Sequence, residues 1–347
     1  MTSAHSQFTI TAFTLAVGAV GAVLGYALSL PIFILTGPAI LITLLSLTGI
    51  RFAIANPLRD AALLLIGINI GAGVNSQTAQ AFLRWPIAFL LLAAMLVGIL
   101  YTSRQLLQRG FGYDANSAIL CSTPGHLSFV MTMGATLNLN VAQIAVVQAV
   151  RLFSLTMLVP FAALVFGVEL NAFPKLSEPA LTALHLAALL AIGLGLGLIF
   201  KRFNAPAPLL MGGLLISTLS HLTGITPGPM HPWVALPGFL VLGSLIGARF
   251  SGISLSLLKS SLLAGLAVTA VGAAWSLCAA YLVAQFLDMP LIHVLVAFAP
   301  GGLETMIALG AVIGANPGFV AAIHVARLLM LIVLVPLMMP KQGVSSP

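Results

Sequence analysis

The sequence has very little charge. Of its 347 residues, 13 are Lys or Arg and 6 are Asp or Glu; charged residues make up 5% and hydrophobic ones 60%. Soluble domains carry about 25% charged and roughly 45–50% apolar residues. Nineteen charged side chains cannot cover a soluble protein of this size. With a mean hydropathy of +1.16, the shortage excludes a soluble fold and a single-anchor chain, and it points to an all-α polytopic membrane protein. Cysteine is scarce too. Cys121 and Cys278 both lie in apolar stretches, with no CxxC or Cys/His spacing, which excludes a disulfide framework. No two of the seven histidines stand three or four apart and only six carboxylates exist, so no metal and no other cofactor is expected. Nucleophile elbows, Walker A loops and dinucleotide fingerprints are missing, and the chain reads as no enzyme. The net charge is +7, but there is no run of three basic residues. Basic loops that orient the chain in a bilayer account for that charge, and nucleic acid is not an expected partner. The N-terminus, MTSAHSQFTI, lacks the positive start of a signal peptide, so the first apolar segment is expected to remain as a span.

What is present is duplication. Apolar segments run about 8–30, 32–50, 61–83, 85–103, 115–138 and 141–168, then 181–200, 206–223, 232–248, 260–287, 289–313 and 317–339. Placing Pro124–Pro160 on Pro300–Pro336, an offset of 176, gives 13 identities in 37 positions without a gap. Gly134 falls on Gly310, Asn140 on Asn316 and Arg151 on Arg327. The same offset sets Gly67, Ile70, Gly71 and Ala72 on Gly243, Ile246, Gly247 and Ala248. The reading is one membrane repeat over 1–165, a linker over 166–180 and a second repeat over 181–347.

Loop charge decides orientation. In the first half the loop near Leu30 is uncharged, while the next carries Arg51 and Arg59; in the second half Lys201 and Arg202 fill the first loop, 223–232 has no charge, and Arg249 and Lys259 fill the third. Basic loops alternate out of phase, so equivalent loops face opposite sides and the repeats are inverted. Inversion needs an odd number of crossings per copy. Segment five is the one expected not to cross, because Ser122-Thr123-Pro124-Gly125-His126 and Ala299-Pro300-Gly301-Gly302 sit near the middle of its two copies. Segment three, which is short, is the alternative. The expectation is two inverted repeats of about five transmembrane helices, each with a re-entrant or broken Pro-Gly helix, and both termini cytoplasmic.

Broken segments at matching places in inverted repeats point to a transporter binding site, since freed amides attract anions and freed carbonyls attract cations. Arg151 and Arg327 lie about ten residues into their segments, close to the midplane. A midplane Arg needs a partner or water. It holds a substrate anion or a coupling carboxylate, or it ties down carbonyls freed by its own repeat's hairpin. Glu304, four residues after Pro300, is the acid clearly inside an apolar segment; its counterpart is Ser128. It carries a proton or ion, or it is neutralised by Arg327 or backbone amides. His126 follows Pro124-Gly125, and His324 shares a helix face with Arg327, as Gln148 does with Arg151. Each His is a titrating site or a hydrogen-bonded interior residue. Gly67 and Gly71 allow close helix approach, with Asn69 between them either packing or lining a polar path. Leu35-Thr36-Gly37-Pro38 and Leu210-Met211-Gly212-Gly213 read as a further repeated break, and the glycine surfaces permit a homodimer.

The Leu-Thr-Gly-Pro run, the Gly-x-x-x-Gly of segment three, and the Ser-Thr-Pro-Gly and Ala-Pro-Gly-Gly-Leu-Glu hairpins followed by Arg151 and Arg327 resemble the AbrB family of bacterial inner-membrane proteins. The resemblance covers nearly the whole chain. It implies a membrane duplication whose members are often labelled ammonia monooxygenase or regulators of gene expression, and which is distinct from the DNA-binding transition-state regulators that share the name. The architecture also resembles the cation/proton antiporter and anion transporter superfamily, which implies transport by fold analogy. The expected function is secondary transport of a small anionic or zwitterionic metabolite by alternating access. The alternative is a non-transporting membrane sensor or scaffold with an indirect effect on gene expression. A monooxygenase would need His or carboxylate clusters that the sequence lacks.

Overall fold

The computed structural model describes residues 4–73, 85–125, 127–168, 170, 181–226 and 228–340. Among them are fourteen helices and no strand. The first seven are α1 (Ala4–Ala27), α2 (Phe33–Leu47), α3 (Asn56–Gly71), α4 (Pro86–Phe111), α5 (Ala115–Ser122), α6 (Leu127–Thr136) and α7 (Val141–Val165). The second seven are α8 (Ala183–Arg202), α9 (Pro208–Leu222), α10 (Pro232–Ala248), α11 (Leu255–Leu287), α12 (Leu291–Phe298), α13 (Leu303–Ile313) and α14 (Pro317–Met338). Six of them (α1, α4, α7, α8, α11 and α14) are long and apolar enough to cross a bilayer. The chain is a multi-pass membrane protein.

Twelve apolar segments become fourteen helices because two are broken. Segment five divides into α5 and α6 on either side of residues 123–126, and its counterpart divides into α12 and α13 around residues 299–302. The cause is local. Thr123 and Ala299 each precede a proline and take extended backbone, ψ 115° and 129°, because the α region is disfavoured before proline. No such break occurs at Leu35–Pro38 or Leu210–Gly213, which lie inside α2 and α9. Those small residues mark crossings instead, Gly37 against the Gly21 carbonyl of α1 and Gly212 against Gly193 of α8.

The offset of 176 recurs in the backbone. α3 and α10 start 176 residues apart, as do α5 and α12, α6 and α13, and α7 and α14. Identical residues explain some of this. Asn140 caps α7 by accepting from the Gln143 amide at 3.1 Å, and Asn316 caps α14 by accepting from Phe319 at 3.0 Å. Left-handed backbone recurs as well, at Gly112 and Asp288 after α4 and α11 and at Asn138 and Gly314 after α6 and α13.

The helices pack as two bundles. One contains α1, α2, α3, α8, α9 and α10; the other contains α4–α7 and α11–α14. Each bundle takes helices from both halves of the chain. The two halves of the sequence are therefore not two bodies in space. In the first bundle α3 crosses α9 and α10 crosses α2. A Cβ at Gly67 would strike the Leu210 carbonyl, and one at Gly243 the Leu35 carbonyl. Only glycine allows backbones this close, and close backbone contact is what holds helices together in lipid. The seam between the bundles runs along α13, which is buried over most of its length and touches α3 on one side and α7 and α14 on the other.

Candidate functional site

The broken segments leave helix-end carbonyls in an apolar interior, where each unpaired one costs several kcal/mol. Side chains pair them. In the first hairpin Gln148 Nε2 donates to the carbonyls of Leu120 at 2.8 Å and Thr123 at 3.1 Å. Arg151 Nη1 donates to Thr123 O at 2.9 Å, while its Nη2 donates to Gln148 Oε1. In the second hairpin Arg327 donates to Ala299 O at 2.7 Å and to Gly301 O at 3.0 Å. Thr123 and Ala299 are 176 apart, so the two arginines grip equivalent carbonyls. Each charge also sits at the C-terminal, negative end of a half-helix, which favours it. Both side chains are buried, and the Nε of each has no hydrogen-bond partner among the described residues.

The hairpins meet. Gly125, at φ +94°, lies so near Arg327 that a Cβ there would stand 3.3 Å from Nη2. The tip of the first hairpin thus rests on the arginine of the second.

A cavity of about 590 Å³ opens beside this contact, between the two bundles. Gly125 and Leu127 reach it from the first hairpin, with Gln148 and Arg151 of α7 beside them; Gly302, Leu303, Glu304 and Thr305 reach it from the second. The first turns of α6 and α13, two positive helix ends, therefore open on one space. Glu304 stands in the first turn of α13. No ion pair to it is found among the described residues; Arg327 is spent on carbonyls. The rim is charged. Arg59, Asp60, Lys201 and Arg249 line it, with Asp60 2.7 Å from Arg59 and 4.0 Å from Lys201 of the other half.

The other expected residues lie elsewhere. Ser122 and Thr123 are buried and turn their hydroxyls back to the carbonyls of Ala118 and Ile119, at 2.6 and 2.9 Å. Pro124 and Pro300 are buried away from the cavity wall, and Pro300 packs at Gly272 of α11. Gly301 gives its carbonyl to Arg327. His324 is fully buried, with Nδ1 3.1 Å from the Val320 carbonyl. Asn69 lines a separate cavity of about 480 Å³. His126 lies outside the described residues. Among those residues no group of His, Cys, Asp and Glu is arranged to hold a metal ion. Arg59, Lys201 and Arg249 were legible in the sequence as loop charges; that they gather with Asp60 at one mouth was not.

The family model that matches, described as "Transition state regulatory protein AbrB", covers residues 34–341. The chain belongs to the AbrB family. This AbrB-family chain is 25% identical over 292 residues to "Uncharacterized protein YhjN" of Bacillus subtilis, covering 79% of the chain and 75% of that protein. It is 26% identical over 320 residues to "Putative regulator AbrB" of Escherichia coli, covering 87% of each. The match takes in both hairpins, both arginines and all four rim charges of the AbrB-family cavity.

Proposed function

We propose that the protein is a non-enzymatic secondary transporter, in the bacterial inner membrane, of a small anionic or zwitterionic metabolite. One observation carries this reading: two half-helix N-termini and the Arg151 guanidinium converge on one cavity. Such ends attract anions, and broken helices meeting between bundles are where transporters hold substrate. The lining residues count four cations (Arg59, Arg151, Lys201 and Arg249) against two acids (Asp60 and Glu304). A volume near 590 Å³ suits a small metabolite rather than a peptide.

Glu304 supplies the coupling. When ionised, it offsets the helix dipole and repels an anion; when protonated, it admits one. A proton and an anion then travel together. The hairpin bundle would move against the other as the cavity closes. Positive-inside bias puts the basic rim, and with it both termini, on the cytoplasmic side.

The test is a thermal-shift screen of purified protein against small carboxylates, amino acids, amines and inorganic ions at two pH values. A ligand of the folded state raises apparent stability by RT ln(1 + [L]/Kd). The expected hit is an anion, stronger at the lower pH, lost in Arg151→Gln, and carried into proteoliposomes by the wild type. No anion and no zwitterion among the hits overturns the reading. A second reading is favoured by the names of the family and of the Escherichia coli relative: a membrane sensor or scaffold affecting gene expression. A co-purifying soluble partner with no flux would support it.

A further inference from the structure

The second cavity lies at the same seam but has a different character. It is about 480 Å³, and among the described residues no charged side chain lines it. Its position follows from the duplication. Arg59, Asp60 and Leu63 of α3 line the first cavity; Ala235, Leu236 and Phe239, each 176 residues on, line the second. The relation also runs the other way. Leu245, Ile246 and Arg249 of α10 face the first, and Asn69, Ile70 and Gly73 face the second. α3 and α10 thus each touch one cavity at one end and the other cavity at the other end. α13 does the same, with Leu303–Thr305 in the first and Ala311 and Val312 in the second. Even backbone strain is repeated. Ala207 (φ 44°) at the first cavity and Ile32 (φ 50°) at the second are both left-handed residues preceding a helix, α9 and α2.

The six-helix bundle therefore presents one wall twice. The difference lies in what the hairpin bundle offers. To the first cavity it offers both breaks, with Gln148 and Arg151; to the second it offers the end of α13 and the start of α14. Exchanging the roles of the two repeats would place the counterparts Gly301, His324 and Arg327 at the second cavity.

We propose that the two cavities are the two mouths of one path, and that opening the second brings His324 and Arg327 to the ligand in place of Gln148 and Arg151. This rests on the transport reading and gives it its second state. The ligand passes from a guanidinium beside an amide to a guanidinium beside an imidazole.

The experiment is sided thiol labelling of the full chain, in a background where Cys121 and Cys278 are replaced by alanine. Four single-cysteine variants are used: Leu245→Cys, Asn69→Cys, Gln148→Cys and His324→Cys. A membrane-impermeant maleimide is applied to intact cells and to inverted vesicles. Leu245→Cys and Gln148→Cys should label from one face, and Asn69→Cys and His324→Cys from the other. A bulky maleimide placed first on Leu245→Cys wedges the first cavity open, and labelling of His324→Cys in the double variant should then slow about tenfold. Labelling of Asn69→Cys and Leu245→Cys from the same face overturns the proposal, and this pair keeps it falsifiable should Gln148→Cys fail to fold. So does labelling of His324→Cys from the first face, or its silence while Asn69→Cys labels. The readouts do not need flux. Same-face labelling in a protein that still carries an anion sinks the two-mouth proposal alone. Opposite-face labelling with no flux for any hit of the screen sinks the transport reading instead.

Discussion

In the first hairpin Arg151 shares the Thr123 carbonyl with Gln148; in the second Arg327 shares the Ala299 carbonyl with the Gly301 amide and also holds the Gly301 carbonyl. The cations and one acceptor each, the carbonyl just before the proline, have stayed the same across the duplication. The neighbours have not: Gln148 stands opposite His324, and Ser128 opposite Glu304 in sequence. The shared part is what a broken helix in lipid requires of any sequence, a strong donor for stranded carbonyls. Of the unshared neighbours Gln148 also meets that need, whereas Glu304 donates to no stranded carbonyl among the described residues and is the place of the proposed coupling.

The comparison breaks first at the arginines. Arg327→Leu strands the Gly301 carbonyl, while Ala299 O keeps the Gly301 amide; Arg151→Leu leaves Gln148 on Thr123 O but takes the donor from Gln148 Oε1. At about 1–3 kcal/mol per unsatisfied buried group, each should cost about 2 kcal/mol, read as loss of apparent Tm in detergent. A clearly smaller loss for Arg151→Leu would mean that Gln148 holds the first hairpin unaided. Next are the tips. Gly125 has φ +94° and sits against Arg327, while Gly301 has no left-handed backbone and a Cβ there would press first on the Met306 side chain. Gly125→Ala should then cost about 1–2 kcal/mol and Gly301→Ala less. The caps are matched, so Asn140→Ala and Asn316→Ala should each cost about 1 kcal/mol, within error of one another. Glu304→Gln has the smallest effect on stability, under about 0.5 kcal/mol because it breaks no bond in the fold. It should nonetheless remove the pH dependence of flux; an unchanged pH profile in that variant would strip Glu304 of its coupling role.

The hairpins were legible in the sequence because their cause is local. A proline beside a glycine in an apolar run breaks a helix wherever it stands, and its recurrence at offset 176 marks it as more than a kink. Leu-Thr-Gly-Pro misled for the same reason in reverse. Pro38 is only six residues into α2, and Gly37 beside it is a crossing point rather than an exit. Asn69, grouped with the hairpins on polarity alone, belongs to the other mouth. The interlocked bundles left no trace in the sequence, since which helix of one copy packs on which of the other is a tertiary choice. For the same reason Arg59, Lys201 and Arg249 read as topology markers, although distant parts of the chain bring them to one rim.

Interlocking has a consequence for biosynthesis. Neither bundle can be complete until the second half has left the ribosome, because each bundle needs helices from both. A midplane arginine waiting that long without partners would be exposed to lipid. Arg151 does not wait. Its acceptors, Thr123 and Gln148, lie upstream of it in the chain, so the guanidinium can be paired as soon as α7 enters the bilayer, before the helices of the second half have entered it. Each copy brings its own internal neutralisation, and insertion can proceed one half at a time even though folding cannot.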